Sequence, residues 1–179
     1  MKLVVKNAED LTEDQFNQIN RASLREFQTA LPSREILTGR LFFLLLLGKE
    51  VLAIGQLLPI EPVHYNHASF SILGIGGIIA KEKGRGYGKQ IMIAIRNYLI
   101  AKDKTGVGFC MPRNREFYEK CGLDVDTASV QRFVYRKGNN EITDQEGQFI
   151  FYHDASDHFM SKVISSSDKK VILPTPPTW

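Results

Sequence analysis

The sequence predicts an α/β fold in which a sheet and helices pack as layers, and three observations carry that prediction. Two apolar runs, Leu41 to Leu47 and Val51 to Leu58, are joined by Gly48-Lys49-Glu50 and read as a β-hairpin with both strands largely buried. Ala68 to Ala80 reads as a long strand, punctuated by glycines at 84, 86 and 88. From Tyr87 to about Ala101 the apolar positions Ile91, Ala94, Ile95, Tyr98 and Leu99 recur at helical spacing. Strands mixed with helices in this order can bury their apolar faces only by packing as layers.

The remaining elements follow in chain order. Leu3 to Val5 is a short candidate strand. Thr12 followed by Gln15 is a capping-box pair, so a helix is expected to start near Glu13 and to bury Phe16, Ile19, Leu24 and Phe27. Pro32-Ser33 breaks it, and Arg34 to Thr38 is read as a short second helix. Glu61 to Asn66 is read as a loop, Val107 to Met111 as a strand, and Arg113 to Lys120 as a short helix closed by Gly122. Gln131 to Tyr135 and Phe149 to Tyr152 are two more strands, separated by the polar stretch Lys137 to Gly147. Ser165-Ser166-Ser167 and the proline-rich end suggest one domain over residues 1–165 with an irregular tail over 166–179.

Composition narrows the classes of function. With 43% hydrophobic and 24% charged residues, the 179-residue chain is an ordinary globular protein. A net charge of +3 is too small to argue for nucleic acid or an anionic membrane as partner, though it suits one polyanionic small molecule. Cys110 and Cys121 lack metal spacing and are expected to be buried thiols in a reducing compartment. The apolar run at the N-terminus is too short for a signal peptide, and Gly48-Lys49-Glu50 would put two charges at the centre of any membrane span over 41–60. A cytoplasmic protein is expected. His153, Asp154, Asp157 and His158 lack a second spaced cluster and read as a solvated turn, so no metal is expected.

The chemistry lies in the segment from Leu73 to Lys89. A strand feeds Lys83-Gly84-Arg85-Gly86-Tyr87-Gly88-Lys89, and a helix follows at once. Glycines let backbone N–H groups approach a ligand, and the first N–H groups of the helix lack partners within it. The helix dipole adds partial positive charge there, so the loop suits a pyrophosphate, with Lys83, Arg85 and Lys89 available for charge-assisted contacts. A Walker loop would need a glycine at position 83 and Ser or Thr at position 90, where Lys83 and Gln90 stand. A dinucleotide fingerprint needs G-x-G-x-x-G, and the spacing here is G-x-G-x-G.

The same residues resemble the GCN5-related N-acetyltransferase (GNAT) superfamily, whose signature is [Gln/Arg]-x-x-Gly-x-[Gly/Ala]. Lys83 replaces the usual Gln or Arg, with Gly86 and Gly88 in place. Some thirty residues on, Phe117-Tyr118-Glu119-Lys120-Cys121-Gly122-Leu123 is similar to the family's Phe-Tyr-Glu-Lys-x-Gly-Phe segment. The resemblance implies a mixed, mostly antiparallel twisted sheet flanked by helices, with a splayed central strand pair. It implies acetyl-CoA as co-substrate, a primary amine of a small molecule as acceptor, and direct attack of that amine on the thioester. A protein or peptide acceptor, and a non-catalytic acyl-CoA sensor, are the alternatives. A homodimer is compatible with the sequence.

By that resemblance, Gly76, Gly77, Ile78 and Ala80 lie along the pantetheine arm, and Lys83, Gly84, Arg85, Gly86, Tyr87, Gly88 and Lys89 surround the pyrophosphate. Glycine within a strand also marks a β-bulge that needs no ligand. Tyr118 falls at the position of the general acid. Glycine stands at 74, where many members carry a carboxylate base; Glu61, His64 and His67 are the nearest candidates in sequence, each also readable as an exposed loop residue. Met111 replaces an asparagine common in the family. The extended C-terminus has a distant likeness to aminoglycoside 2'-N-acetyltransferases, which would bring the free carboxylate of Trp179 toward the acceptor.

Overall fold

The computed structural model describes residues 1–138, 140–143, 145, 147–166 and 168–176, and these form two compact units. The chain passes between them at 58/59, 75/76 and 95/96, so one unit comprises Met1–Leu58 with Gly76–Ile95 and the other Pro59–Ile75 with Arg96 onward. Mixed strands and helices give the expected α/β class.

In the first unit, β1 (Lys2–Asn7) pairs antiparallel with β2 (Leu41–Leu47), and β2 pairs antiparallel with the first half of β3 (Glu50–Tyr65). The end of β4 (Ala68–Ala80) lies beside β3, and Lys81 N–H donates to Leu52 O at 2.8 Å just beyond it. Helix α1 (Glu13–Phe27) opens with the predicted capping box: Gln15 N–H donates to Thr12 Oγ1 and Thr12 N–H to Gln15 Oε1, both at 3.2 Å. Gln18 ties α1 to the hairpin, accepting from Val51 N–H at 2.9 Å and donating to Lys49 O at 3.0 Å. Ile19, Leu37, Phe42, Leu44, Ile54 and Ile79 form the centre of one buried cluster.

Two expectations in this unit change. Leu24 and Phe27 stay exposed; Leu24 lies about 140° around the helix from buried Ile19, and Ser23 takes the inward place instead. Residues 34–38 are successive turns and not a helix: Leu37 N–H is shared between Ser33 O and Arg34 O, and Gly39 turns left-handed. Leu37 is fully buried and anchors this stretch alone, with no second apolar turn to extend it.

In the second unit the strand order is β6 (Asp124–Asp126), β9 (Phe149–His153), β5 (Gly106–Cys110), β4, β3, β10 (Val171–Leu173), β7 (Phe133–Lys137), β8 (Asn140–Ile142). β4 runs parallel to β5 over Leu73↔Gly106 and Gly74↔Val107, and β10 parallel to β7. The expected loop at Glu61 to Asn66 is strand through Tyr65. Buried Val63 and Tyr65 alternate with exposed Pro62 and His64, a period-2 pattern that polar residues hid. Asn66 and His67, both at positive φ, then make the tight turn into β4.

Helix α2 (Tyr87–Lys102) buries Ile91, Met92, Ile95 and Leu99 along one stripe. Helix α3 (Arg115–Lys120) follows a single 3-10 turn at Pro112–Asn114. Helix α4 (Phe159–Ile164) was not expected: Phe159, Met160 and Val163 are buried, and Asp154 accepts from the N–H groups of Met160 and Ser161, both at 2.9 Å. Asp157 Oδ1 accepts from the buried Thr105 hydroxyl at 2.6 Å and from Phe159 N–H at 3.2 Å. The His/Asp turn is therefore a helix cap. Val171–Leu173, inside the stretch expected to be irregular, is a strand with Val171 and Leu173 buried. No helix among the described residues is long and apolar enough to cross a membrane.

Candidate functional site

In the first unit the site starts from an irregularity in β4. Gly77 has φ +59, the left-handed backbone of a bulge. A Cβ there would stand 2.9 Å from Gln56 Nε2, so the buried Gln56 amide occupies the space a side chain would need. Beyond the bulge, Ile79 joins the cluster under α1. Ile78 is directed the other way, toward the place where a Cβ on Gly55 would also meet Ile91 and Ile95 of α2. Gly76 is buried; Gly77, Ile78 and Ala80 are partly exposed along the strand that ends this unit's sheet.

The loop that follows is held open. Gly84 and Gly86 have φ +81 and +76, and a Cβ on either would meet nothing within 4 Å. The first helical bond of α2 runs from Gln90 N–H to Gly86 O at 3.1 Å. Helix geometry therefore leaves the N–H groups of Gly86, Tyr87, Gly88 and Lys89 without partners inside α2. Of the three basic residues expected here, Lys83 Nζ contacts Glu26 Oε1 at 2.9 Å and Arg85 Nε contacts Glu82 Oε2 at 3.1 Å. Lys89 is exposed and makes no ion pair among the described residues. Exposed pairs of this kind contribute under about 1 kcal/mol and yield readily to a stronger anion.

Sequence reasoning missed one group in this unit. Arg40, half-buried one residue before β2, donates to Gln56 Oε1 at 3.3 Å, and Gln56 is the amide that fills the space beside Gly77. A single charge at the head of an apolar strand, and a lone amide within the apolar run 51–58, were the available signals.

In the second unit Tyr118 is buried, stacked on Phe151 at 3.7 Å and 10° and in edge contact with Phe117 at 5.0 Å. Burial, then the neighbouring Cys110 and Cys121 sulfurs, push its phenol well above the ordinary tyrosine pKa. Gly74 is buried. The base candidates are exposed on β3 and its turn. Glu61 Oε2 accepts from Ser71 Oγ at 2.6 Å, and His64 Nδ1 lies 3.0 Å from Ser69 Oγ. Both cysteines are buried thiols, and burial pushes Cys110 up to about 11. Trp179 lies outside the described residues.

No protein-family model matches the sequence, and no curated protein sequence matches it. Solved structures do. An acyl-CoA N-acyltransferase from Pseudomonas aeruginosa is similar with a TM-score of 0.59 and 17% identity, over 87% of this chain and 100% of that one. Escherichia coli ElaA gives 0.60 and 17%, over 86% and 100%. An N-acetyltransferase from Staphylococcus aureus gives 0.57 and 13%, over 86% and 98%. At such low identities the likeness is one of backbone, and on that ground the chain has the fold of the GNAT acyltransferases.

Proposed function

We propose that the protein is an N-acetyltransferase that moves the acetyl group of acetyl-CoA to the primary amine of a small molecule. The observation that carries this reading is the loop over 83–89. Two left-handed glycines with open space beside them lead directly into four N–H groups unpartnered within α2. That arrangement fits a pyrophosphate, with Lys83, Arg85 and Lys89 exchanging their exposed partners for it. The edge backbone of Gly76 to Ala80 is suited to hydrogen-bond the amides of a pantetheine arm.

Acetyl-CoA supplies an activated acyl carbon: the ammonium loses one proton to become the free amine, its nitrogen bonds to that carbon, the C–S bond breaks with the sulfur leaving as thiolate, and the nitrogen gives up a second proton to water to become the neutral amide. For Tyr118 the family resemblance implies the role of donating a hydrogen bond to that sulfur. Its raised pKa keeps the phenol protonated at neutral pH, so it acts chiefly by stabilising the thiolate. Glu61 and His64 face serine hydroxyls, and Gly74 has no side chain, so the amine's proton passes to water before attack. The GNAT fold of the structural neighbours supports the reading.

Calorimetric titration with acetyl-CoA, followed by thiol release across a panel of amines and peptides, tests it. Coenzyme binding with amine-dependent release is expected. Binding without release would replace the enzyme with a sensor, release with peptides alone would move the acceptor to protein, and no binding would end the reading.

A further inference from the structure

We propose that the acceptor carries a carboxylate and that Arg40 binds it; this rests on the acetyltransferase reading above. The starting point is a cation whose place is fixed and whose charge has no counter-ion among the described residues. Arg40 N–H donates to Leu37 O at 3.0 Å and its carbonyl accepts from Ala8 N–H at 3.1 Å, which pins the backbone at the head of β2. Its guanidinium is half-buried. The single hydrogen bond its side chain makes among the described residues is the 3.3 Å contact to Gln56 Oε1, and none of the ion pairs among those residues includes it. Desolvation holds its pKa below the ordinary guanidinium value, the mark of a charge that has lost water without gaining a counter-ion.

Arg132 shows how the same chain satisfies a half-buried guanidinium when the role is structural. It donates to Ser166 O, to Val163 O at 2.6 Å and to Ser129 Oγ at 2.6 Å. Arg40 has five N–H donors and, among the described residues, one long bond. Half-burying a cation without a counter-ion costs solvation, and with none among the described residues the partner inferred here is an external anion.

The surroundings say where that partner sits. The Gln56 amide bridges Arg40 to Gly77: its oxygen accepts from the guanidinium and its nitrogen lies 2.9 Å from the Cβ position of Gly77. An anion on Arg40 is thus one amide away from the bulge at the start of the strand assigned to pantetheine. The chemistry says what the partner is. A planar fork carrying one charge matches a carboxylate bidentately and balances it one for one, whereas a phosphate dianion would leave a charge uncompensated. An α- or ω-amino acid, bearing amine and carboxylate together, meets both requirements.

The test compares ligands that differ only in the anion. N-acetylglycine, N-acetyl-alanine and N-acetyl-leucine are titrated calorimetrically against their amides, with thiol release measured in parallel for the free amino acids and amino-acid amides. Wild type is expected to prefer the carboxylate by about tenfold or more. Arg40→Gln should bring the two within about twofold with acetyl-CoA affinity kept, and Arg40→Lys should fall between them. The melting temperature of Arg40→Gln should stay within a few degrees of wild type, since removing a desolvated charge offsets loss of the bond to Gln56. No carboxylate preference in wild type, a preference that survives Arg40→Gln, or a larger preference for O-phosphoethanolamine over ethanolamine would each overturn the assignment. An Arg40-dependent preference in the binding arm without any acetyl transfer would uphold the anion site and overturn the enzymatic reading instead.

Discussion

Replacing Gly77 by alanine isolates the irregularity on which the site is built. Two costs follow from its geometry. A non-glycine residue at φ +59 loses about 1–2 kcal/mol to left-handed backbone strain. The new methyl would also stand 2.9 Å from Gln56 Nε2 and 3.3 Å from its Cδ and Cγ, so the Gln56 side chain must move. That movement breaks the 3.3 Å bond from Arg40, worth about 1 kcal/mol. The sum is about 2–3 kcal/mol, or roughly 5–10 °C in melting temperature for a chain of this size. Gly48→Ala is the control, because its φ is +60 with nothing within 4 Å of the added Cβ, so it carries strain alone. Thermal and urea unfolding of Gly77→Ala, Gly48→Ala, Gln56→Ala and the Gly77→Ala/Gln56→Ala pair would separate the terms, the pair recovering about 1 kcal/mol against the sum of its two single variants because the Arg40 bond is lost only once. Equal losses at Gly77 and Gly48, with no recovery in the pair, would refute the packing of Gln56 against the bulge.

Three further outcomes are expected. Tyr118→Phe keeps the stack on Phe151, so stability should hold within about 1 kcal/mol and acetyl-CoA affinity should be unchanged, while kcat falls about 10²- to 10⁴-fold; unaltered turnover would remove Tyr118 from the reaction. Cys110 keeps its proton in the native state up to about 11, whereas an unfolded thiol loses it near about 8.5–9. Its contribution is therefore complete below that lower pH and is lost as pH climbs toward 11. Urea unfolding at pH 8 and pH 10.5 should show a smaller pH difference in Cys110→Ala than in wild type; the same difference in both would contradict this. Thr105→Val preserves shape but leaves Asp157 without its 2.6 Å donor and Ala155 N–H without its 3.0 Å acceptor, so chemical denaturation should report a loss of about 1–3 kcal/mol. A neutral Thr105→Val would mean that this buried network contributes nothing to stability.

What could be read from the chain beforehand was what local pattern determines. The capping box at Thr12 and Gln15 fixed the start of α1, and the strand read over Ala68–Ala80 has those bounds in the structure. The glycine loop was legible because φ +81 and +76 demand glycine wherever they occur. Pattern failed where burial is decided by distant partners. Val63 and Tyr65 sit among polar neighbours, so the second half of β3 looked like a loop until β10 was seen to pair with it at Tyr65↔Val171. Three-residue strands such as Asp124–Asp126 carry too few residues to show any period. In the site, Arg85 holds Glu82 three residues away, a pair within local reach, but nothing local revealed that Lys83 holds Glu26. Arg40 and Gln56, sixteen residues apart, could be paired only by the hairpin that brings them together.

Because β3 and β4 each begin or end in one unit and finish in the other, neither unit corresponds to a continuous piece of gene. The segment 59–75 is an excursion from the first unit whose two ends leave and re-enter it on adjacent strands. No single truncation yields either half intact: cutting after Ile95 retains a hairpin stripped of β5 and β10, its neighbours in the second unit. Such a fragment would present two unpaired strand edges to solvent. Deletion series on this protein should therefore remove whole internal segments, with the ends near 58 and 76 rejoined by a short turn, and not shorten the chain from one terminus.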